Sequence, residues 1–341
     1  MKWKQFCKTF PIAVVLICLT FAISFYSITS KPGYFIAIDK TKHNHQHGLS
    51  SLNPLPPKFE GNCKNVFKYQ PNNKRDGIFM TIKSDKARYF NDKQMLESFD
   101  VTRKAVPNAR IIMFVVDGLP QRTQPFVNSI KRNNIELYNI KQPVNGHVIS
   151  VRFHLIRNFL IEHRNEFDRI ICLDATDTGL FGDYFATFNS TQIGWLVEQY
   201  GKKKDEFWGP ATYKMHYNWF EYYFSKQFAD LCVKERYPCI NAGFGYGGIE
   251  KMIEYLTILV DNMSESKIKG WGYEQSLMNY LYYGTNKVKH LNMKLEKCSD
   301  TICYFGDKAF LFTGNQIFYS DTFCPPVAYH KLKSIGRHFS I

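Results

Sequence analysis

The stretch "RIICLDATDTGLFGDYF", residues 169–185, decides the fold. An apolar run, Ile170-Ile171-Cys172-Leu173, stops at Asp174, and a second carboxylate, Asp177, follows three residues later. Gly179 and Gly182 break the chain before a third acid, Asp183. A short apolar run bounded by turn signals reads as a buried strand. Residues i and i+3 of an ideal strand point to opposite faces. The chain must therefore turn after Asp174 for both acids to reach one ion, and Asp177-Thr178-Gly179 permits that turn.

Working outward, strands alternate with helical patterns. Strand-type runs are "GIFMTIK" (77–83), "RIIMFVVD" (110–117) and "IELYNI" (135–140). Helical spacing is expected over 92–106, 123–133 and 150–167, the last from Val151, Phe153, Leu155, Ile156, Phe159, Leu160 and Phe167. This alternation predicts an α/β fold with a mainly parallel sheet flanked by helices. In such sheets ligands bind beyond the carboxyl ends of the strands, where Asp174 and Asp177 lie. The second half reads as an aromatic block (213–224), a glycine-rich turn "NAGFGYGG" (241–248), and helices at 249–263 and 273–284.

Paired carboxylates at a strand end are hard oxygen ligands suited to Mg²⁺ or Mn²⁺, and a diphosphate is a natural bridging ligand for such an ion. The competing account is a turn whose acids accept backbone N–H bonds.

The N-terminus reads differently. Residues 9–30 carry no charge and follow Lys2, Lys4 and Lys8. That length suits a bilayer-spanning helix, and the lysines place residues 1–8 in the cytoplasm. A cleaved signal peptide is the alternative, but no clear small-x-small site follows the run. Residues 31–75, rich in Pro, Asn, Gly and His, read as a stem, and 76–341 as a lumenal domain. His43, His45 and His47 fit a solvated polar stretch better than a metal site. Asn189-Ser190-Thr191 and Asn262-Met263-Ser264 match the N-glycosylation pattern. Of nine cysteines, Cys172 lies in the apolar strand as a buried thiol. Cys63, Cys232, Cys239, Cys298, Cys303 and Cys324 allow three disulfides in an oxidising lumen, with 232/239 and 298/303 the close pairs. The formal charge of +14 raises nucleic acid as a partner, but the anchor and the dispersed basic residues argue against it. Lys202-Lys203-Lys204 is the one run of three, and reads as a solvated loop.

"RFHLIRNFLIEHRNEFDRIICLDATDTGLFGDYF" (152–185) resembles the core of nucleotide-diphospho-sugar transferases of the GT-A fold, a Rossmann-like mixed sheet. In that family a helix opening with Arg-Phe precedes a strand ending in Asp-x-Asp or Asp-x-x-Asp. "NAGFGYGG" resembles its N-x-G turn, "GYEQSLMNYLYYG" its D-Q-x-x-x-N helix, and "AYHKLK" its late metal-binding His. The resemblance runs in order over roughly 76–335. It departs from the family at Thr176, where the strict motif has its second acid, at Gly182 in place of Gln, and at Glu274 in place of Asp.

The resemblance implies metal ligation by Asp174, Asp177 and His330. It implies donor contacts from Thr81, Lys83, Arg152, Asp174, Asn241, Gly243, Gln275 and Lys333, with Glu274 as a candidate base for the acceptor hydroxyl. Trp208, Trp219 and Trp271 are candidates for stacking on sugar faces, with core packing the alternative for Trp219. The implied activity is hexose transfer from a nucleotide diphosphate sugar, UDP-linked or GDP-linked, to a glycan, glycoprotein or glycolipid, assisted by Mn²⁺ or Mg²⁺. The implied setting is a type II membrane protein of the Golgi or endoplasmic reticulum. The other readings are a membrane-anchored, non-catalytic carbohydrate binder or scaffold on the same fold, and a metal-dependent phosphotransferase or hydrolase.

Overall fold

Asp76–Lys83 forms the first strand, β1, and its burial on both faces marks it as central. It is followed along the chain by α1 (Lys93–Ala105), β2 (Arg110–Val116), α2 (Gln124–Arg132), β3 (Ile135–Ile140), α3 (Val148–Glu162) and β4 (Arg169–Leu173). Then come β5 (Thr178–Leu180), β6 (Ile193–Glu198), α4 (Pro210–Tyr223), α5 (Lys226–Lys234), β7 (Cys239–Gly248), α6 (Ile249–Asp261) and α7 (Tyr273–Asn279). The short strands β8 (Lys294–Glu296), β9 (Ile302–Cys303), β10 (Phe310–Thr313), β11 (Gln316–Tyr319) and β12 (Ala328–His330) complete the fold. This computed structural model describes residues 63–83, 90, 92–119, 123–198, 210–299, 301–303, 310–313, 316–319 and 322–331. The candidate anchor (9–30), His43, His45, His47, Lys202-Lys203-Lys204, Trp208 and Lys333 lie outside the described residues. Among the described residues no helix is long and apolar enough to cross a membrane.

Seven strands form one sheet in the order β3-β2-β1-β4-β7-β6-β8, in which only β7 runs against the rest. The chain is thus a mixed α/β protein with a mostly parallel sheet flanked by helices. Period-two alternation divides β1 and β2 between two cores. Phe79, Ile112, Phe114 and Val116 face one core, with Phe153, Leu160, Met252 and Leu256 from α3 and α6. Ile78, Met80, Ile111, Met113 and Val115 face the other, with Met95, Phe99, Phe126 and Ile130 from α1 and α2. Asp92 starts α1 by accepting from the Gln94 and Met95 amides at 3.0 and 3.2 Å.

The glycine-rich segment 241–248 corrects the expected turn: it lies within β7, a fully buried ten-residue strand. Gly243, Gly245 and Gly247 alternate with Phe244 and Tyr246 and so share one face, with Gly248 following on the other. A Cβ at Gly245 would stand 2.5 Å from the Trp195 ring, and one at Gly247 3.0 Å from the Gln192 carbonyl. Large neighbours, not a turn, demand these glycines. Two helical ends also differ from expectation. Helix α3 stops at Glu162 and is followed by a single 3₁₀ turn, Arg164–Glu166. Helix α7 passes into a π turn over Tyr280–Gly284.

The segment 63–75 is tied to this domain. Cys63 is bonded to Cys324. The Arg169 guanidinium lies 2.6 Å from Asp76 and donates to the Gln70, Pro71 and Phe185 carbonyls at 2.7–2.9 Å. Asp183 accepts from the Asn72 amide at 2.7 Å and its side chain at 2.9 Å, and caps the Phe185 amide at 3.1 Å. The third acid of the opening stretch is therefore a structural anchor. A second disulfide joins Cys298 and Cys303. Cys232 and Cys239, the other close pair, are buried free thiols, as is Cys172.

A candidate metal centre at the end of β4

The chain turns over Ala175–Asp177 as soon as β4 ends, and Thr178 begins β5. Strand β5 pairs antiparallel with β12, with Thr178 opposite His330. That rung brings three distant positions together. His330 Nε2 lies 3.3 Å from Asp174 Oδ2 and 3.4 Å from Asp177 Oδ1. The same pairing sets Lys331 beside Asp177, with Nζ 2.8 Å from Oδ2. Among the described residues, Asp174, Asp177 and His330 form the single cluster whose ligand atoms converge as a metal would require.

The residues fit a divalent ion. Ligands about 2.1 Å from one ion lie about 3.0–3.4 Å apart for octahedral to tetrahedral angles, matching both His330 distances. Asp177 is 8% exposed, and its buried Oδ1 accepts no hydrogen bond among the described residues. Two carboxylates and one imidazole are a donor set that could hold a divalent metal ion.

Arg152 and β7 form the wall behind. Helix α3 is capped by His147, which accepts from the Ile149 amide at 3.4 Å. One turn in, the buried Arg152 pairs through Nη1 with Asp174 and donates through Nη2 to the Ala242 carbonyl at 2.7 Å. The Asp174 amide donates to the Gly243 carbonyl at 2.8 Å. Gly243 lies directly beneath the acids, where a side chain has no room. Asn241 accepts from the Gly243 amide at 2.7 Å and donates to Glu198. Gln275 accepts from the Ala242 amide at 3.3 Å and donates to Glu198 at 3.1 Å. Glu198 in turn lies 3.2 Å from the buried His216.

Burial alone would raise Asp174 and Asp177. Arg152 and His330 hold Asp174 well below the usual carboxylate range, and His330 and Lys331 lower Asp177. Burial and Lys331 push His330 down, but Asp177 and Asp174 outweigh them and raise it. Glu274 behaves oppositely. It is 4% exposed on α7, and burial lifts it to about 7 despite Arg152 nearby and a 3.4 Å contact from the Ser150 hydroxyl.

The structure thus brings Asp174, Asp177, His330, Arg152 and Gly243 into contact, with Asn241 and Gln275 one layer behind and Glu274 beside Arg152. Thr81 lies two residues past the last β1–β4 rung, Phe79 with Cys172. Lys83 is turned aside: its Nζ donates to Gln142 at 2.8 Å and lies 3.5 Å from Asp117. Trp219 packs partly buried against the core, and Trp271 is exposed two residues before α7. Sequence reasoning missed Lys331, Glu198 and His216. The family resemblance points to Lys333, whereas the antiparallel rung places Lys331 beside Asp177. His216 was hidden in an aromatic block, and Glu198 ends a wholly buried strand. The chain matches no protein-family model and no curated protein sequence.

Proposed function

We propose that the chain is a metal-dependent glycosyltransferase of the GT-A type, moving a hexose from a nucleotide diphosphate sugar to a glycan, glycoprotein or glycolipid hydroxyl. One observation carries this hypothesis: Asp174, Asp177 and His330 converge beyond the carboxyl end of β4, with Arg152 and Lys331 beside them. Ligand sites of open α/β sheets lie at such strand ends.

Asp174, Asp177 and His330 would hold Mn²⁺ or Mg²⁺. Once bound, the ion supplies Lewis-acid stabilisation of the leaving diphosphate. Arg152 keeps Asp174 ionised and its guanidinium in place, and would reach the diphosphate or donor sugar. Glycine at 243 leaves Asp174 and His330 room to converge against the backbone, and Asn241 and Gln275 fix that wall. Glu274, poised at about 7, is suited to accept the acceptor proton at neutral pH. The two disulfides support placing this domain in an oxidising lumen. That agrees with a type II anchor in the Golgi or endoplasmic reticulum membrane.

A donor screen tests the proposal. Release of nucleotide diphosphate would be followed from UDP- and GDP-sugars, with and without Mn²⁺. The expected result is metal-dependent release from one donor, abolished by Asp174→Ala; transfer to an acceptor then separates a transferase from a hydrolase. A non-catalytic binder is the second reading, favoured by the ready-made pairing of Asp177 with Lys331. It predicts no release from any donor by folded protein.

A further inference from the structure

Each acid of the triad already carries a cation on one oxygen. Arg152 holds Asp174 Oδ1, and Lys331 Nζ lies 2.8 Å from Asp177 Oδ2. The other oxygens, Asp174 Oδ2 and Asp177 Oδ1, face His330. Among the described residues the two ligand carboxylates are therefore matched by two cations before any ion arrives, with Glu274 a further buried carboxylate beside Arg152. Glu198, a further carboxylate nearby, has its own partner in His216 at 3.2 Å. A divalent cation entering alone would leave surplus positive charge in a largely buried site, which is strongly disfavoured. A diphosphate brings the negative charge that offsets it.

The two cations are not equivalent. Arg152 is buried, with Nη1 on Asp174 and Nη2 on the Ala242 carbonyl. Lys331 follows the last residue of β12, in left-handed backbone at φ 73°, and its side chain is 37% exposed. Its ammonium is a point charge on a flexible stem, able to exchange one anion for another without rebuilding a fork of bonds.

We propose that Lys331 is an exchangeable counter-ion of this centre, holding Asp177 until a divalent cation and a polyanion of the diphosphate class arrive. The ammonium leaves Asp177 Oδ2 as the cation arrives and moves to the incoming anion. Lys331 is then a positioning residue that couples the two ligands. The inference rests on the diphosphate-sugar reading above and goes beyond it, since that reading gives Lys331 no exchange between ligands.

Calorimetry on the purified full chain tests this, titrating Mn²⁺ alone, UDP or GDP alone, and each in the presence of the other. Mn²⁺ should bind at least about tenfold tighter with the nucleotide present, and by linkage the nucleotide should gain the same factor from Mn²⁺. Lys331→Met should tighten Mn²⁺ alone and reduce the coupling to below about threefold. Lys331→Arg, which keeps the charge, should restore part of it, and circular dichroism would check that both variants fold. Mn²⁺ binding the wild type equally well without nucleotide would overturn the inference while leaving the transferase reading intact. Unchanged coupling in folded Lys331→Met would overturn it too. No binding of either ligand in any combination would defeat the transferase reading, and this inference with it.

Discussion

Gly243 and His330 meet edge to backbone: a Cβ on Gly243 would stand 2.6 Å from the imidazole Nε2 and equally close to Asp174 Oδ2. Neither neighbour can retreat cheaply. His330 is wholly buried, and Asp174 is held by Arg152. Gly243→Ala should therefore push the ligand set apart rather than unfold the sheet. We predict that Mn²⁺ binding, measured with UDP present, falls by at least about tenfold, with a stability loss of about 1–3 kcal/mol from overpacking. Calorimetry and urea unfolding on one preparation would check both. Unaltered binding would mean that His330 and Asp174 are not held as ligands against this strand.

Glu274 makes a prediction about pH. Its carboxyl is raised by burial from the ordinary 4.5 to about 7. The folded state thus binds the proton more tightly than the unfolded one. Its contribution is neutral below about pH 4.5, becomes destabilising as pH rises, and levels off above about pH 7, at a cost of about 3 kcal/mol. Glu274→Gln cannot ionise and should escape that cost. Relative to wild type, the variant should be more stable at pH 8 than at pH 4 by about that amount. Urea midpoints at the two pH values test this, and a pH-independent difference would show that Glu274 titrates normally. Loss of turnover in the same stabilised variant would identify its functional role.

Much of this was legible in the sequence for a physical reason. Strands such as 110–116 are apolar from Ile111 onward because both faces are covered, and helices such as 148–162 carry a 3.6-residue stripe. These patterns are local. What was not legible depends on pairings between distant strands. The His330–Thr178 rung spans much of the chain, and it alone decides that Lys331 faces Asp177. The 241–248 segment misled because glycine usually marks a turn. Its alternation with Ala242, Phe244 and Tyr246 was the overlooked signal, a strand with one bare face. Acid clustering at 174, 177 and 183 was visible, but only the fold separates the two candidate ligands from the structural anchor at Asp183.

The Cys63–Cys324 disulfide closes a loop across a sequence separation of 261. Loops of that length carry a large closure entropy in the unfolded chain, so the bond should contribute about 2–5 kcal/mol. Cys63→Ser should lower the urea midpoint accordingly. Cys298–Cys303, separated by five positions, closes a small loop and should contribute much less. Dithiothreitol should therefore destabilise the wild type strongly and the Cys63→Ser variant little. Equal sensitivity of both proteins would contradict this ranking.

The two glycosylation patterns occupy different surroundings, and this yields a test of the lumenal reading. Asn262 ends α6, its Nδ2 donates to the Ile258 carbonyl at 2.8 Å, and its Oδ1 accepts from Lys287 at 2.6 Å. A glycan on that nitrogen would disturb the helix end. Asn189 sits in the half-exposed turn before β6, where its Oδ1 accepts from the Thr191 amide and hydroxyl at 3.0 and 2.8 Å. That arrangement engages the carbonyl side of the amide and puts the third residue of the pattern against it. We predict that a chain expressed in the secretory pathway carries its glycan at Asn189. Removal of N-glycans should shift its mass, Asn189→Gln should abolish the shift, and Asn262→Gln should leave it. A shift lost only with Asn262→Gln would reverse the assignment. Absence of any N-glycan from a folded, membrane-associated chain would count against the lumenal placement on which the transferase proposal relies.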